Sequence, residues 1–209
     1  MRMLSWDALD PFPFQGGGAV TTFFLGLAKA DLRAAAQYVC ELPYGRNSNP
    51  NDPLVVLAER RGTCSTKHAL IRRLAIEQEY DLALMLGIYE MTERNTPGVG
   101  AVLRRYGLSS LLEAHCYLRN KNNDKRIDVT RTVSQHGHGE STKLFLHEEE
   151  IDPTQITDYK TGVHKKFLRP WMAGNDNLNR FSFEQIWAVR EECIAGLNPS
   201  LGAYSPSSA

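Results

Sequence analysis

Cys64 stands in the run Arg61-Gly-Thr-Cys-Ser-Thr-Lys-His-Ala-Leu-Ile-Arg-Arg-Leu74. Gly62 suits a tight turn, because a residue without Cβ reaches backbone angles closed to others. Thr63 or Ser65 can cap a helix start. Leu70, Ile71, Leu74 and Ala75 then repeat at helical spacing, with Lys67, Arg72, Arg73 and Glu77 expected to face away. The thiol thus falls in the first turn of an amphipathic helix. Unpaired N–H groups and the positive end of the helix dipole favour thiolate over thiol there.

Two later stretches supply partners for a nucleophilic sulfur. Leu111-Leu-Glu-Ala-His-Cys-Tyr-Leu-Arg119 and Lys125-Arg-Ile-Asp-Val-Thr130 flank the turn-forming run Asn120-Lys-Asn-Asn-Asp124, which predicts a β-hairpin. Ala114, Cys116 and Leu118 share one face with Ile127 and Val129. Glu113, His115, Tyr117 and Arg119 share the other with Arg126, Asp128 and Thr130. A tight turn at Lys121-Asn122 sets Cys116 opposite Ile127 and His115 opposite Asp128. Cβ atoms of directly opposed residues are about 5 Å apart, within reach of a His–carboxylate hydrogen bond. Cys64, His115 and Asp128 are accordingly a thiol, an imidazole and a carboxylate that could work together.

Gly62-Thr-Cys64 opening a helix, His115 on a later strand and Ile127-Asp-Val-Thr130 together resemble the transglutaminase-like superfamily. The likeness covers about residues 40 to 130. It implies a papain-like α+β core, with the cysteine-bearing helix packed on an antiparallel sheet. It also implies a Cys-His-Asp triad acting through a thioester acyl-enzyme, with Cys64 as nucleophile, His115 as base and Asp128 as its orienter; no cofactor and no metal are expected. Many relatives carry an aromatic residue shortly after the histidine, where Cys116 and Tyr117 stand here. A Gly-Ile-Pro-like turn in relatives is replaced by Gln78-Glu-Tyr-Asp81.

The chain must position these groups with 209 residues, enough for one domain over 1–196 and a Pro/Ser/Gly-rich tail over 197–209. Hydrophobic residues make up 42% and charged residues 23%, an ordinary globular balance. Lys+Arg and Asp+Glu both number 24, so there is no broad charge field for nucleic acid or an anionic membrane. No apolar run reaches membrane-spanning length. Met1-Arg-Met-Leu-Ser-Trp-Asp7 lacks the apolar core of an export signal, which sets the expectation of a cytoplasmic protein. The four cysteines, at 40, 64, 116 and 193, form no CxxC pair and are expected as free thiols, with Cys40, Cys116 and Cys193 in the core.

In chain order, Trp6, Phe12 and Phe14 read as a packing arm. Thr21–Leu42 reads as one helix, or two divided at Gly26. Pro43–Pro53 is a polar loop, and Leu54–Arg60 a short helix. Leu82–Met91 reads as a strand buried on both faces. Ala101–Tyr106 reads as a helical turn, and Leu144–Leu146 as a short strand. A helix starting at Asp152-Pro153 and running to about Trp171 ends in the basic cluster Lys165, Lys166 and Arg169. A last helix spans about Phe183–Ala195, with Gly196 as its stop. Gln135-His-Gly-His-Gly139 with Glu140 reads as a polar loop rather than a metal site.

Thiol acyl chemistry also needs donors for an oxyanion. The Cys64 N–H is one candidate; the second is sought upstream among Asn47, Tyr44 and Asn49, with Asn47 preferred. The expected function is a cysteine-dependent amide hydrolase or acyl transferase acting on a peptide or small amide. Two alternatives stay open: a non-catalytic binding domain on the same fold, and a zinc site at Cys64, His68 and His115.

Overall fold

The computed structural model describes residues 8–9, 11, 13–132 and 144–197. Its centre is a four-stranded antiparallel sheet in the order β3-β2-β1-β4. The strands are β1 (Leu82–Met91), β2 (Leu111–Asn120), β3 (Lys125–Ile127) and β4 (Phe145–Ile151). Seven helices accompany it among the described residues: α1 (Ala19–Gly26), α2 (Leu32–Glu41), α3 (Val55–Glu59), α4 (Cys64–Glu77), α5 (Gly100–Arg105), α6 (Asp158–Ala173) and α7 (Phe183–Gly196). This is an α+β arrangement, with α4 and α6 both packed against β2. Among the described residues no helix is long and apolar enough to cross a membrane.

Helical spacing stops at Gly26, and α1 and α2 are separate, with Ala28 at φ 55° in the turn between them. β1 is buried at every position but Glu90, as its continuous apolar run requires. Leu82, Leu84, Leu86 and Ile88 join Ala114, Cys116 and Leu118 in the main core, while Ala83, Met85 and Tyr117 form a smaller cluster. All four cysteines are free and buried.

The hairpin differs from the expected register by two residues. Leu118 pairs with Ile127, Arg119 with Arg126 and Asn120 with Lys125. The connection is therefore the four residues Lys121–Asp124, closed by Asp124 at φ 53°, a left-handed conformation that aspartate tolerates. Side-chain amides build this longer turn: Asn120 Oδ1 accepts from Asn122 N, and Asn123 Oδ1 from Lys125 N. A two-residue shift preserves parity, so each side chain keeps its face.

α4 departs from a simple amphipathic helix. Lys67, expected to face away, is fully buried. Its ammonium donates to the carbonyls of Leu42 at 2.6 Å and Thr130 at 2.8 Å, tying the end of α2 to the segment after β3. Glu77 reaches back to α1, where its carboxylate accepts from Val20 N, Thr21 N and Thr21 Oγ1. It thereby satisfies N–H groups that a helix start leaves unpaired.

The Asp152-Pro153 signal makes a turn, not the helix start. Asp152 Oδ1 accepts from Thr154 N and Oγ1, Gln155 N bonds Asp152 O, and α6 begins only at Asp158. The basic cluster lies before the end of α6: Lys165 sits 5.0 Å from the Trp187 ring centroid and Arg169 4.0 Å from that of Phe183. α7 starts as a capping box, with Ser182 and Gln185 each accepting from the other's backbone N–H. It runs through Gly196. Trp6, Phe12, the 135–140 segment and the tail beyond Leu197 lie outside the described residues; Phe14 is partly buried against the core.

Candidate active site

Cys64 is the first residue of α4. Thr63 caps the helix, and the Thr66 hydroxyl in turn accepts from Thr63 N. Gly62 holds the approach to this turn, though not by left-handed angles. A Cβ there would lie 2.9 Å from Lys67 Cγ, 3.0 Å from Thr66 Oγ1 and 3.1 Å from Val56 Cγ2. Gly62 also pairs with the loop strand at Tyr44, through Gly62 N to Pro43 O at 3.1 Å and Gly45 N to Gly62 O at 3.2 Å. Glycine is needed here because two chain segments and a helix turn converge on one residue.

The sulfur meets three groups from two other elements. The His115 ring, from β2, hydrogen-bonds it, and so does the Cys116 N–H. Lys160, from α6, places its ammonium 3.7 Å from Sγ and 2.7 Å from Ser65 Oγ. Burial pushes the Cys64 thiol up, but the Lys160 and His115 charges and the His115 hydrogen bond more than reverse it, bringing it down to about 5. Lys160 moves in the complementary sense: burial disfavours its charge, and Cys64, Cys116 and Glu113 restore it, raising the ammonium above its ordinary value. Cys116, one shell further in, is pushed by burial up to about 11.

His115 Nε2 lies 2.7 Å from Asp128 Oδ2. That bond assigns Nε2 as the nitrogen facing the carboxylate, which leaves Nδ1 as the nitrogen available to the sulfur. The other Asp128 oxygen accepts from Thr130 N at 2.9 Å, which fixes the carboxylate just beyond β3. Tyr89 and His68 each pack edge-on against the imidazole at 6.1 Å. The structure therefore brings Cys64, His115 and Asp128 together, despite the shifted hairpin register.

His68 is 3.5 Å from Asp128 Oδ1, yet its hydrogen bonds make it neutral. Nδ1 donates to the Cys64 carbonyl at 2.6 Å, and Nε2 accepts from Val129 N at 2.8 Å. Burial holds its pKa down to about 4 despite the nearby carboxylate. The only lone pair of the ring is taken by Val129, so His68 has none to give a metal. It is a strut between α4 and the Asp128 segment.

The site opens into a cavity of about 390 Å³ lined by Cys64, His115, Lys160, Tyr44, Arg131 and Trp187, among others. Asn47 is at its edge with its donors already engaged: Nδ2 bonds Arg61 O at 2.9 Å and Glu59 at 3.2 Å, and Oδ1 accepts from Thr66. Asn49 is exposed in an Asx turn with Asn51 and does not line the cavity. The Tyr44 hydroxyl makes no hydrogen bond among the described residues. A buried ion pair forms one wall. Arg190 of α7 grips Glu113 of β2 through two bonds of 2.7 and 2.6 Å. Burial would raise the Glu113 carboxyl, but Arg190, with His164 and Lys160, holds it at about 2.

Lys160 and Ser65 are the functional groups that motif reasoning missed. The signal for Lys160 is spacing: Lys160, His164 and Leu168 recur every four residues and are the buried stripe of α6. A lysine and a histidine in line with a leucine mark a face turned toward a polar site rather than toward solvent. No protein-family model, curated protein or solved structure matches the chain.

Proposed function

We propose that the cleft houses a cysteine nucleophile for amide hydrolysis or acyl transfer, with a papain-like arrangement of Cys64, His115 and Asp128. The observation that carries this reading is the convergence of two cationic groups on one buried but cavity-facing sulfur at a helix start. A structural cysteine has no use for such surroundings, since ordinary burial drives thiols the other way, as it does at Cys40 and Cys193.

The chemistry follows from the contacts. The thiol proton passes to His115 Nδ1, and Asp128 steadies the imidazolium through Nε2. The thiolate attacks the carbonyl carbon of the substrate, forming the C–S bond and a tetrahedral oxyanion. The Cys64 N–H and the Tyr44 hydroxyl are the donors proposed for that oxygen. Collapse breaks the C–N bond as His115 gives its proton to the leaving amine. A thioester remains. Water, deprotonated by His115, releases the acid; an amine in place of water gives transfer.

The test is acyl-enzyme trapping. Mixing the protein with an activated ester and quenching in acid is expected to give one acyl group on Cys64, read by peptide mass mapping and removed by hydroxylamine. Cys64→Ala is expected to lose it. Equal acylation in Cys64→Ala, or acylation spread over the other cysteines, would refute the proposal.

A further inference from the structure

Around the cavity, each cation among the described residues faces an anionic group, with a single exception. Arg190 holds Glu113 and also bonds Glu191. Arg46 bonds Glu191 as well. Lys160 faces the Cys64 sulfur, and His115 faces Asp128. Arg131 is the exception. It is 8% exposed and lines the cavity, yet it makes no hydrogen bond and no ion pair among the described residues. Its Nε is closed off without a partner, and so is the neighbouring Thr130 Oγ1. Its terminal nitrogens are not closed off in this way. Among the described residues its guanidinium meets an aromatic face, with the guanidinium carbon 5.9 Å from the Tyr44 ring centroid.

A guanidinium stays charged at any working pH, so it cannot escape burial by losing a proton. Burying it without a counter-charge is costly, and folded proteins keep such a group where an anion completes it. We propose that Arg131 is the recognition site for a carboxylate on the substrate, which makes the preferred substrate class an amide bearing a free acid group beside the scissile bond. The inference rests on Cys64 being the nucleophile. The planar fork of a guanidinium matches a carboxylate through two parallel bonds. A single unmatched positive charge also fits a monoanion better than a phosphate dianion, because the other cations of the cavity already face their own partners. The position suits substrate selection as well. Arg131 lies on the ring of the proposed oxyanion donor Tyr44, three residues after Asp128 in the chain, so a bound acid is held at the edge of the reacting centre.

The experiment compares two alkylating probes that differ only in charge, bromoacetyl-glycine and bromoacetyl-glycinamide, by their labelling rates at Cys64 near neutral pH. The free acid is expected to label the wild-type protein about tenfold faster than the amide, the size of effect a charge-assisted pair gives. In Arg131→Gln the acid-to-amide ratio is expected to fall to about one. Equal rates in the wild-type protein, or an acid preference that survives in Arg131→Gln, would overturn the proposal. Should Arg131→Gln fail to fold, competition on the wild-type protein decides: acetyl-glycine slowing iodoacetamide labelling where acetyl-glycinamide does not supports it, and equal effects refute it. If Cys64 resists all of these reagents, the nucleophile itself is wrong, an outcome distinct from the loss of acid preference.

Discussion

Lys160 separates this site from a bare triad at the scale of single residues. In a Cys–His pair the imidazolium alone balances the thiolate. Here an ammonium 3.7 Å away shares that task and is itself held by Ser65. In the proposed mechanism the thiolate therefore need not lose its charge support when His115 gives up a proton. Lys160→Met is expected to raise the pH at which Cys64 becomes reactive by a unit or more, about a tenfold loss of thiolate stabilisation per unit. The pH profile of iodoacetamide labelling measures this. Lys160→Arg, which keeps the charge, is expected to recover part of the shift, whereas an unmoved profile in Lys160→Met would assign the lysine to packing. Glu113 and Arg190 illustrate the opposite use of charge. Glu113→Gln is expected to destabilise the fold by about 3 kcal/mol, because removing one partner strands the other in a buried site; a urea titration compares it with the wild-type protein.

At the scale of elements, the start of α4 is set by crowding. Gly62 has Lys67, Thr66 and Val56 all within 3.1 Å of where a Cβ would stand. Gly62→Ala is expected to cost about 1–3 kcal/mol, as overpacking does. It is also expected to lower Cys64 reactivity, since the same contacts hold the first turn of the helix. Thermal unfolding and labelling rates test the two halves, and an Ala variant with unchanged stability would contradict the crowding account. The same element shows what was legible in the chain itself. Thr63 as a cap and the apolar spacing of α4 are local signals, and local signals carried the helix. Strand parity likewise brought His115 and Asp128 to one face, and it survived a wrong turn length because a shift of two residues leaves faces unchanged. The four-residue turn was hidden in side-chain bonds of Asn120 and Asn123. Lys67 was misread because a lysine on a helix ordinarily seeks water, and only the folded chain supplies the carbonyls of Leu42 and Thr130 that receive it. Lys160 lies 96 residues from Cys64, beyond the reach of any spacing argument that starts at the cysteine.

At the scale of the whole molecule, buried titrating groups set how the fold answers to acid. His68 is kept neutral by burial, with its pKa lowered from 6.5 to about 4. Above pH 6.5 it is neutral both folded and unfolded, and its contribution to stability is fully present. As pH falls from 6.5 toward 4 the unfolded chain takes up a proton that the folded chain refuses, so stability is lost across that window, on the order of 3 kcal/mol. Glu113, lowered from 4.5 to about 2, adds a second loss below pH 4.5 as it protonates away from Arg190. Urea midpoints are expected to fall between about pH 7 and about pH 4.5, and less steeply in His68→Gln. A midpoint constant over that range would show that His68 is not held neutral.

The cleft as a whole depends on α4, β2 and α6 meeting at one sulfur, and one measurement bears on that most directly: the rate of Cys64 labelling by iodoacetamide as a function of pH, resolved from the other cysteines by peptide mapping. With Lys160 and His115 in place, labelling is expected to be half-maximal near pH 5, where Cys64 titrates, and flat at neutral pH. A rate that instead keeps rising through pH 8, as an ordinary thiol's does, would contradict the account.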